Sequence, residues 1–130
     1  MKLFEREIVA QPEDVDELGH VNNAVWVRWI QELATDHWYA ASRPEHHQAY
    51  VWLVVRHEID YLRSVGPGET VTGRTWVGEA PKGARFDRHV EFTGADGKPR
   101  VRARTTWAIL DRGTGRPVRV PPEVIAPFLG

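Results

Sequence analysis

One change of period constrains the fold of this chain more than any other feature. From Asn23 to about Ala41 the apolar residues Trp26, Ile30, Leu33, Ala34, Trp38 and Ala41 recur at three- and four-residue steps. That is the spacing of an amphipathic helix, and Val25 and Trp29 widen its stripe. Asn22 and Asn23 stand where an amide oxygen can cap the free N–H groups of the first turn. After Ser42-Arg43-Pro44 the period becomes two. A long strand is predicted, with Val51, Leu53, Val55, His57, Ile59 and Tyr61 on one face and Arg56, Glu58 and Asp60 on the other. Gly66-Pro67-Gly68 ends it. Further strands are predicted over about 69–79, 84–93 and 99–110, the last two joined by a turn around Asp96-Gly97. An imperfect alternation over 3–10 predicts a short opening strand, 11–22 reads as a loop, and 120–130 closes the chain with room for a single helical turn.

One strand, one helix and four strands joined by tight turns make a single α+β domain over 1–130. Short links favour antiparallel pairing, so the expected architecture is a five-stranded, curved antiparallel sheet covered by one helix just under ~30 Å long.

Composition removes whole classes of function. The 130 residues contain no Cys, which excludes a Cys nucleophile, a Cys-ligated zinc, an iron–sulfur cluster and a disulfide framework. Seventeen Lys and Arg against 18 Asp and Glu leave a formal charge of −1, so no basic field points to nucleic acid. The opening MKLFEREIVAQPEDVDE is too charged for a signal peptide, and no run reaches the ~18 apolar residues of a membrane span. A cytoplasmic protein without membrane or nucleic-acid partners is the expectation.

The densest group of chemically capable residues is Asp14-Val15-Asp16-Glu17-Leu18-Gly19-His20-Val21-Asn22-Asn23, on a loop leading straight into the helix. The first turn of a helix offers unpaired N–H groups and a positive dipole end that can hold an oxyanion or polarise a carbonyl. A nearby carboxylate can serve as general base or nucleophile, Gly19 lets backbone approach a ligand, and His20 can orient a substrate or move a proton. A plainer reading of the same residues makes Asp14, Asp16 and Glu17 solvated loop acids, Asn22 a cap and His20 a surface side chain.

The run DVDELGHVNNAVWVRWIQE resembles the opening of hot-dog-fold acyl-CoA thioesterases of the 4-hydroxybenzoyl-CoA thioesterase type. It is also similar to the D-x-N-x-H-V-N-N motif of plant acyl-carrier-protein thioesterases, with Leu18 where that motif has Asn. The segment Val54 to Leu62 followed by Gly66-Pro67-Gly68-Glu69, the Asp-Gly turn, the Asp111 to Pro117 stretch and Pro121-Pro122 extend the resemblance over nearly the whole chain. It implies a hot-dog fold and hydrolysis of an acyl-CoA or acyl-ACP thioester. Asp16 matches the catalytic carboxylate, acting on water or attacking directly, and His20, Asn22 and Asn23 match the H-V-N-N. The backbone from Gly19 through Val21 to Asn23 is then expected to polarise the thioester carbonyl. The resemblance further implies a homodimer or homotetramer, no cofactor, no metal, and coenzyme A phosphates near Lys82 and Arg85. Hot-dog hydratases also use an Asp and a His, but five positions apart with Asn-Pro between, whereas Asp16 and His20 are four apart without Pro. A non-catalytic acyl-CoA-binding domain is the alternative from another class.

Other candidates are plainer. His57, among apolar strand positions, reads as a core or interface histidine and stays among the substrate-facing candidates. His46-His47 lacks a third ligand at metal spacing and reads as a flexible loop. Arg100, Arg102 and Arg104 form a stripe on one strand face, and Lys82, Arg85 and Arg88 cluster near a turn. Trp26, Trp29 and Trp38 are expected in the core or against a partner.

Overall fold

The computed structural model describes residues 2–129. The elements are β1 (Phe4–Val9), α1 (Asn23–Ala41), α2 (Pro44–Ala49), β2 (Tyr50–Tyr61), β3 (Thr70–Trp76), β4 (Arg85–Gly94), β5 (Pro99–Asp111) and the single turn α3 (Pro122–Ile125). The five strands form one sheet in the order β1-β3-β4-β5-β2, every neighbour antiparallel. The β3/β4 and β4/β5 pairs are hairpins of consecutive strands, and the second closes through Gly97 at φ 78° in the expected Asp-Gly turn. β1 and β2 are the two edges, and α1 is the connection that carries the chain from one edge to the other across one face of the sheet. This is the α+β hot-dog arrangement expected from the sequence.

Helix α1 begins where its cap predicts: the Asn22 side chain accepts from the Ala24 N–H at 2.9 Å. Its buried face carries Trp26, Trp29, Ile30, Leu33, Ala34, His37 and Trp38. Helix and sheet approach each other tightly at Gly73, where a Cβ would lie 2.9 Å from Phe92 Cε1 and 3.1 Å from Leu33 Cδ2. Only a residue without a side chain lets the helix settle that far onto β3. Among the described residues no helix is long and apolar enough to cross a membrane.

The interior consists of two apolar clusters. One gathers Trp26, Trp29, Ile30, Leu33, Val71, Phe92 and Val101 around the first half of α1. The other gathers Trp38, Phe86, Trp107, Ile109, Val124 and Phe128 around its second half. Buried polar side chains lie where they meet: Thr75 on β3, Arg88 on β4, Thr105 on β5 and His37 on α1. Arg88, 3% exposed, donates through Nη1 to His37 Nδ1 at 2.9 Å and to Thr75 Oγ1 at 3.1 Å. His37 stacks on Phe4 and meets the ring of Phe128 edge-on. Burial first, and the Arg88 cation second, push the His37 pKa down to about 4, so at neutral pH the imidazole is an uncharged acceptor.

Four sequence expectations are corrected. The strand over 50–61 does not keep one face: the register shifts between Val54 and Arg56. This β-bulge reverses the alternation, so Trp52 and Val54 turn inward before it and His57 and Ile59 after it. Val51, Leu53 and Val55 are left 37%, 54% and 41% exposed. Arg88 does not cluster with Lys82 and Arg85 near the turn but points into the core. Arg100 leaves the stripe of Arg102 and Arg104: its guanidinium is buried against Gly94, accepted by the Lys98 carbonyl at 2.9 Å and paired with Asp96 at 3.0 Å. His46 and His47 are not in a loop but in α2, where Pro44 starts a short helix and His46 is buried. Strand ends otherwise move by a few residues, and Gly130 of the expected closing segment lies outside the described residues.

The depressed pKa of His37 fixes the sign of a pH effect. Between about pH 4 and its ordinary 6.5 the unfolded chain holds a proton on this residue that the folded chain does not, so acid favours unfolding. This contribution is complete above pH 6.5 and is lost as the pH falls toward 4. Denaturant unfolding of a His37→Gln variant, which keeps an acceptor for Arg88 but takes up no proton, is expected to show a shallower loss of stability across that window than the parent.

Candidate active site

The loop between β1 and α1 is a built structure. A 3-10 turn over Pro12–Asp14 brings Asp14 inward, where it is 5% exposed. Its carboxylate accepts from the Gln11 N–H at 2.9 Å and from Arg28 Nη2 on α1 at 3.2 Å, and its carbonyl accepts from the Asn22 N–H at 2.9 Å. Asp14 is therefore not a solvated acid but the clamp that holds the loop to the helix. No periodicity in the sequence marks it, because the single 3-10 turn that buries it is shorter than any repeat.

Beyond it, Val15 and Val21 bridge antiparallel and pinch residues 16–20 into a small closed loop. The Asp16 N–H donates to the His20 carbonyl at 2.8 Å and the Gly19 N–H to the Asp16 carbonyl at 3.0 Å. The reversal needs Gly19 at φ 75°, a region costly for other residues. Asp16 Oδ1 accepts from the Leu18 N–H at 2.9 Å and the His20 N–H at 3.3 Å. Oδ2 has no partner among the described residues. One carboxylate oxygen is thus anchored and the other is offered to solvent, on a side chain that is itself exposed. His20, Asn22 and Asn23 are exposed beside it, and the His20 ring makes no hydrogen bond among the described residues.

The backbone donors sort themselves. The Val21 N–H is bonded to the Val65 carbonyl at 2.8 Å and its side chain is buried, so Val21 is a wall of the loop and not a donor. The Gly19 and Asn22 amides are likewise taken. The Asn23 N–H, first of the 19-residue helix, is left without an acceptor among the described residues, as the geometry of a helix start requires. The short segment from Asp16 to Asn23 thus carries both a free carboxylate oxygen and a free amide at the positive end of α1.

Other candidates lie elsewhere. His57 is half-buried under the middle of α1, its Nδ1 sharing a hydrogen bond with Thr105 Oγ1 at 2.8 Å and its Nε2 lying 3.4 Å from Gln31 Nε2. Burial lowers its pKa. Lys82 and Arg85 are exposed at the turn between β3 and β4, on an open groove of about 200 Å³ that Asp87 and Thr106 also line. That turn is at the far end of the sheet: β3 starts beside the loop, with Thr70 paired to Val9, and runs away from it. Seven strand residues span ~23 Å, so one chain does not bring Lys82 and Arg85 to Asp16.

Residues 10–128 match the family described as the thioesterase-like superfamily. The chain belongs to that superfamily. Among curated proteins none matches the sequence. Solved structures match in shape. A Staphylococcus aureus hypothetical protein in complex with CoA superposes with a TM-score of 0.87 at 16% identity, covering 97% of this chain and 81% of that one. The DHNA-CoA thioesterase of the same organism gives 0.81 at 20% identity over 92% of this chain and 82% of that one. A Thermus thermophilus thioesterase complexed with coenzyme A and Zn gives 0.82 at 22%, over 95% and 90%. At these identities the likeness establishes the fold.

In this superfamily member the two loop acids have separable roles. Asp14→Ala strands the Gln11 N–H and Arg28 and is expected to cost ~1–3 kcal/mol of stability by urea unfolding. Asp16→Asn keeps an oxygen for the Leu18 and His20 amides and is expected to shift stability by less than ~0.5 kcal/mol.

Proposed function

We propose that this chain hydrolyses an acyl-CoA thioester to the free acid and thiol, as a hot-dog enzyme of the 4-hydroxybenzoyl-CoA thioesterase type. The observation that carries the reading is that one segment offers both a free Oδ2 on Asp16 and an unpartnered Asn23 N–H at the start of α1. A thioester carbonyl accepting from Asn23 is polarised by the amide and the helix dipole, and charge developing on its oxygen is stabilised there. Asp16 then takes a proton from a water that attacks the carbonyl carbon, or attacks that carbon itself to form a mixed anhydride that water opens; in either route the C–S bond breaks and the thiolate leaves, taking up a proton. The anchored Oδ1 holds the carboxylate still, which suits either route. His20, exposed on the same small loop, orients the substrate.

The far placement of Lys82 and Arg85 favours a homodimer or homotetramer over a lone chain. β2 is an edge strand with Val51, Leu53 and Val55 exposed, an apolar row that a second copy would cover. A two-fold axis through β2 reverses the partner, so that its Lys82 and Arg85 lie at the same end as this chain's Asp16. Those two cations suit the phosphates of coenzyme A. Each site would then draw its carboxylate from one copy and its phosphate contacts from the other, in a cytoplasmic enzyme without cofactor or metal.

The test is a thiol-release assay across short, long and aromatic acyl-CoAs. Asp16→Asn should lower kcat/KM by ~100-fold or more while unfolding at the same denaturant concentration, and His20→Ala should lose ~10-fold or less, unequally among substrates. Turnover of any good substrate by Asp16→Asn at near the parent's rate sinks the assignment. Acyl-CoA binding without turnover across the panel would favour the binding-domain reading instead.

A further inference from the structure

Arg88 has no counter-ion among the described residues: the side chains that accept from it are the uncharged His37 and Thr75. Burial lowers its pKa only to about 10, so it stays a cation at neutral pH. Its Nε–H makes no hydrogen bond, and neither does the Trp107 Nε1–H, although both atoms are buried. The two orphan donors are neighbours on one face of the sheet: Arg88 pairs across the strands with Thr105, and Trp107 is the next inward residue along β5. Both residues line the same cavity, between α1, the sheet and the C-terminal segment. Its walls are otherwise mainly aromatic, with Trp38, Trp52, Phe86 and Phe128, and the exposed Thr35 marks an opening to solvent. Phe86 and Phe128 present their rings to the guanidinium at 5.7 Å.

A buried cation with no counter-ion and an unpartnered Nε–H, beside a buried indole N–H without an acceptor, leaves the cavity short of negative charge and of oxygen lone pairs. Water supplies lone pairs but not charge. A carboxylate supplies both, accepting from Arg88 and from Trp107, with an apolar remainder against the aromatic walls. The cavity of about 40 Å³ exceeds the ~10–15 Å³ that one water needs, which leaves room for a small ligand. We propose that this cavity, bounded by Arg88, Trp107 and the aromatic side chains around them, is a binding site for a small aliphatic monocarboxylate. Within one chain it is separate from Asp16, since Ala34 to Trp38 stand eleven or more residues along α1 from Asn23, ~17 Å or further. It does not depend on which bond the Asp16 site cleaves.

The probes are propionate and its uncharged isostere propionamide, titrated into the full chain at constant ionic strength while the Trp107 indole N–H is followed by NMR. Propionate should shift that resonance saturably in the millimolar range and raise Tm, with propionamide about tenfold weaker or more. Arg88→Met replaces the cation with an apolar side chain of similar length, a change that buried charges often tolerate, and it should abolish the propionate shift. The proposal is overturned if propionamide matches propionate, if Arg88→Met binds propionate like the parent, or if chloride alone reproduces the shift. An unmoved Trp107 resonance at tens of millimolar propionate overturns it equally, and that reading needs no variant to fold.

Discussion

The buried guanidinium of Arg88 sets the terms for the rest of the molecule. Taking a cation out of water is costly, and here the cost is offset by hydrogen bonds to two neutral side chains and by two aromatic faces rather than by a carboxylate. The arrangement works only if His37 is unprotonated and turned toward β4. That fixes the rotation of α1 about its axis, since His37 shares its face with Leu33, Ala34 and Trp38, and a helix turned by one residue would bring the half-buried Asp36 inward in its place. Two apolar clusters alone would tolerate some rotation. The polar set between them does not.

The rotation of the helix is transmitted to the loop before it. Arg28, on the first half of α1, reaches back to Asp14, and Asp14 holds Gln11 and Asn22. On the other side the loop is tied to the segment preceding β3, with the Val21 N–H on Val65 and the Ala10 N–H on Glu69. The five-residue loop carrying Asp16 is thereby fastened to both the helix and the sheet. The proposed acyl transfer would gain from this: an amide donor and a carboxylate that act together must hold their spacing while charge develops, and side chains on an unsecured loop would lose that geometry.

The helix, its cap and the hairpin turn were legible because each is a local pattern with a mechanism: a 3.6-residue stripe, an amide at the first turn, an Asp-Gly pair. The candidate carboxylate was legible as a motif. The bulge in β2 was not, since the alternation through Val51, Leu53 and Val55 reads as a perfect strand and one extra residue reverses it without leaving a breaker. Asp14 gave no signal because its burial comes from tertiary contacts with Arg28 and Asn22. Arg88 did leave one: Phe86, Arg88, Val90 and Phe92 alternate on a single face, and β4 buries all four. Period two alone puts Arg88 inside, whereas its charge and its nearness to Lys82 and Arg85 in sequence point to the turn.

The same bulge decides which edge of the sheet is left open. The opposite edge, β1, is guarded by charge: Glu5 pairs with Arg74 and Arg6 with Asp36, and only Ile8 and Phe4 pack inward. Charged edges resist strand addition. β2 has no such guard over its first half, because the shift after Val54 that sends Trp52 and Val54 into the core sends Val51, Leu53 and Val55 out. Had the strand run straight, the alternation that brings His57 and Ile59 inward would have carried those three valine and leucine side chains inward with them, and Trp52 and Val54 would have faced solvent. The device that fills the cavity wall with Trp52 is therefore the one that leaves an apolar row on an open edge, which links the interior of one copy to the surface on which another would pair.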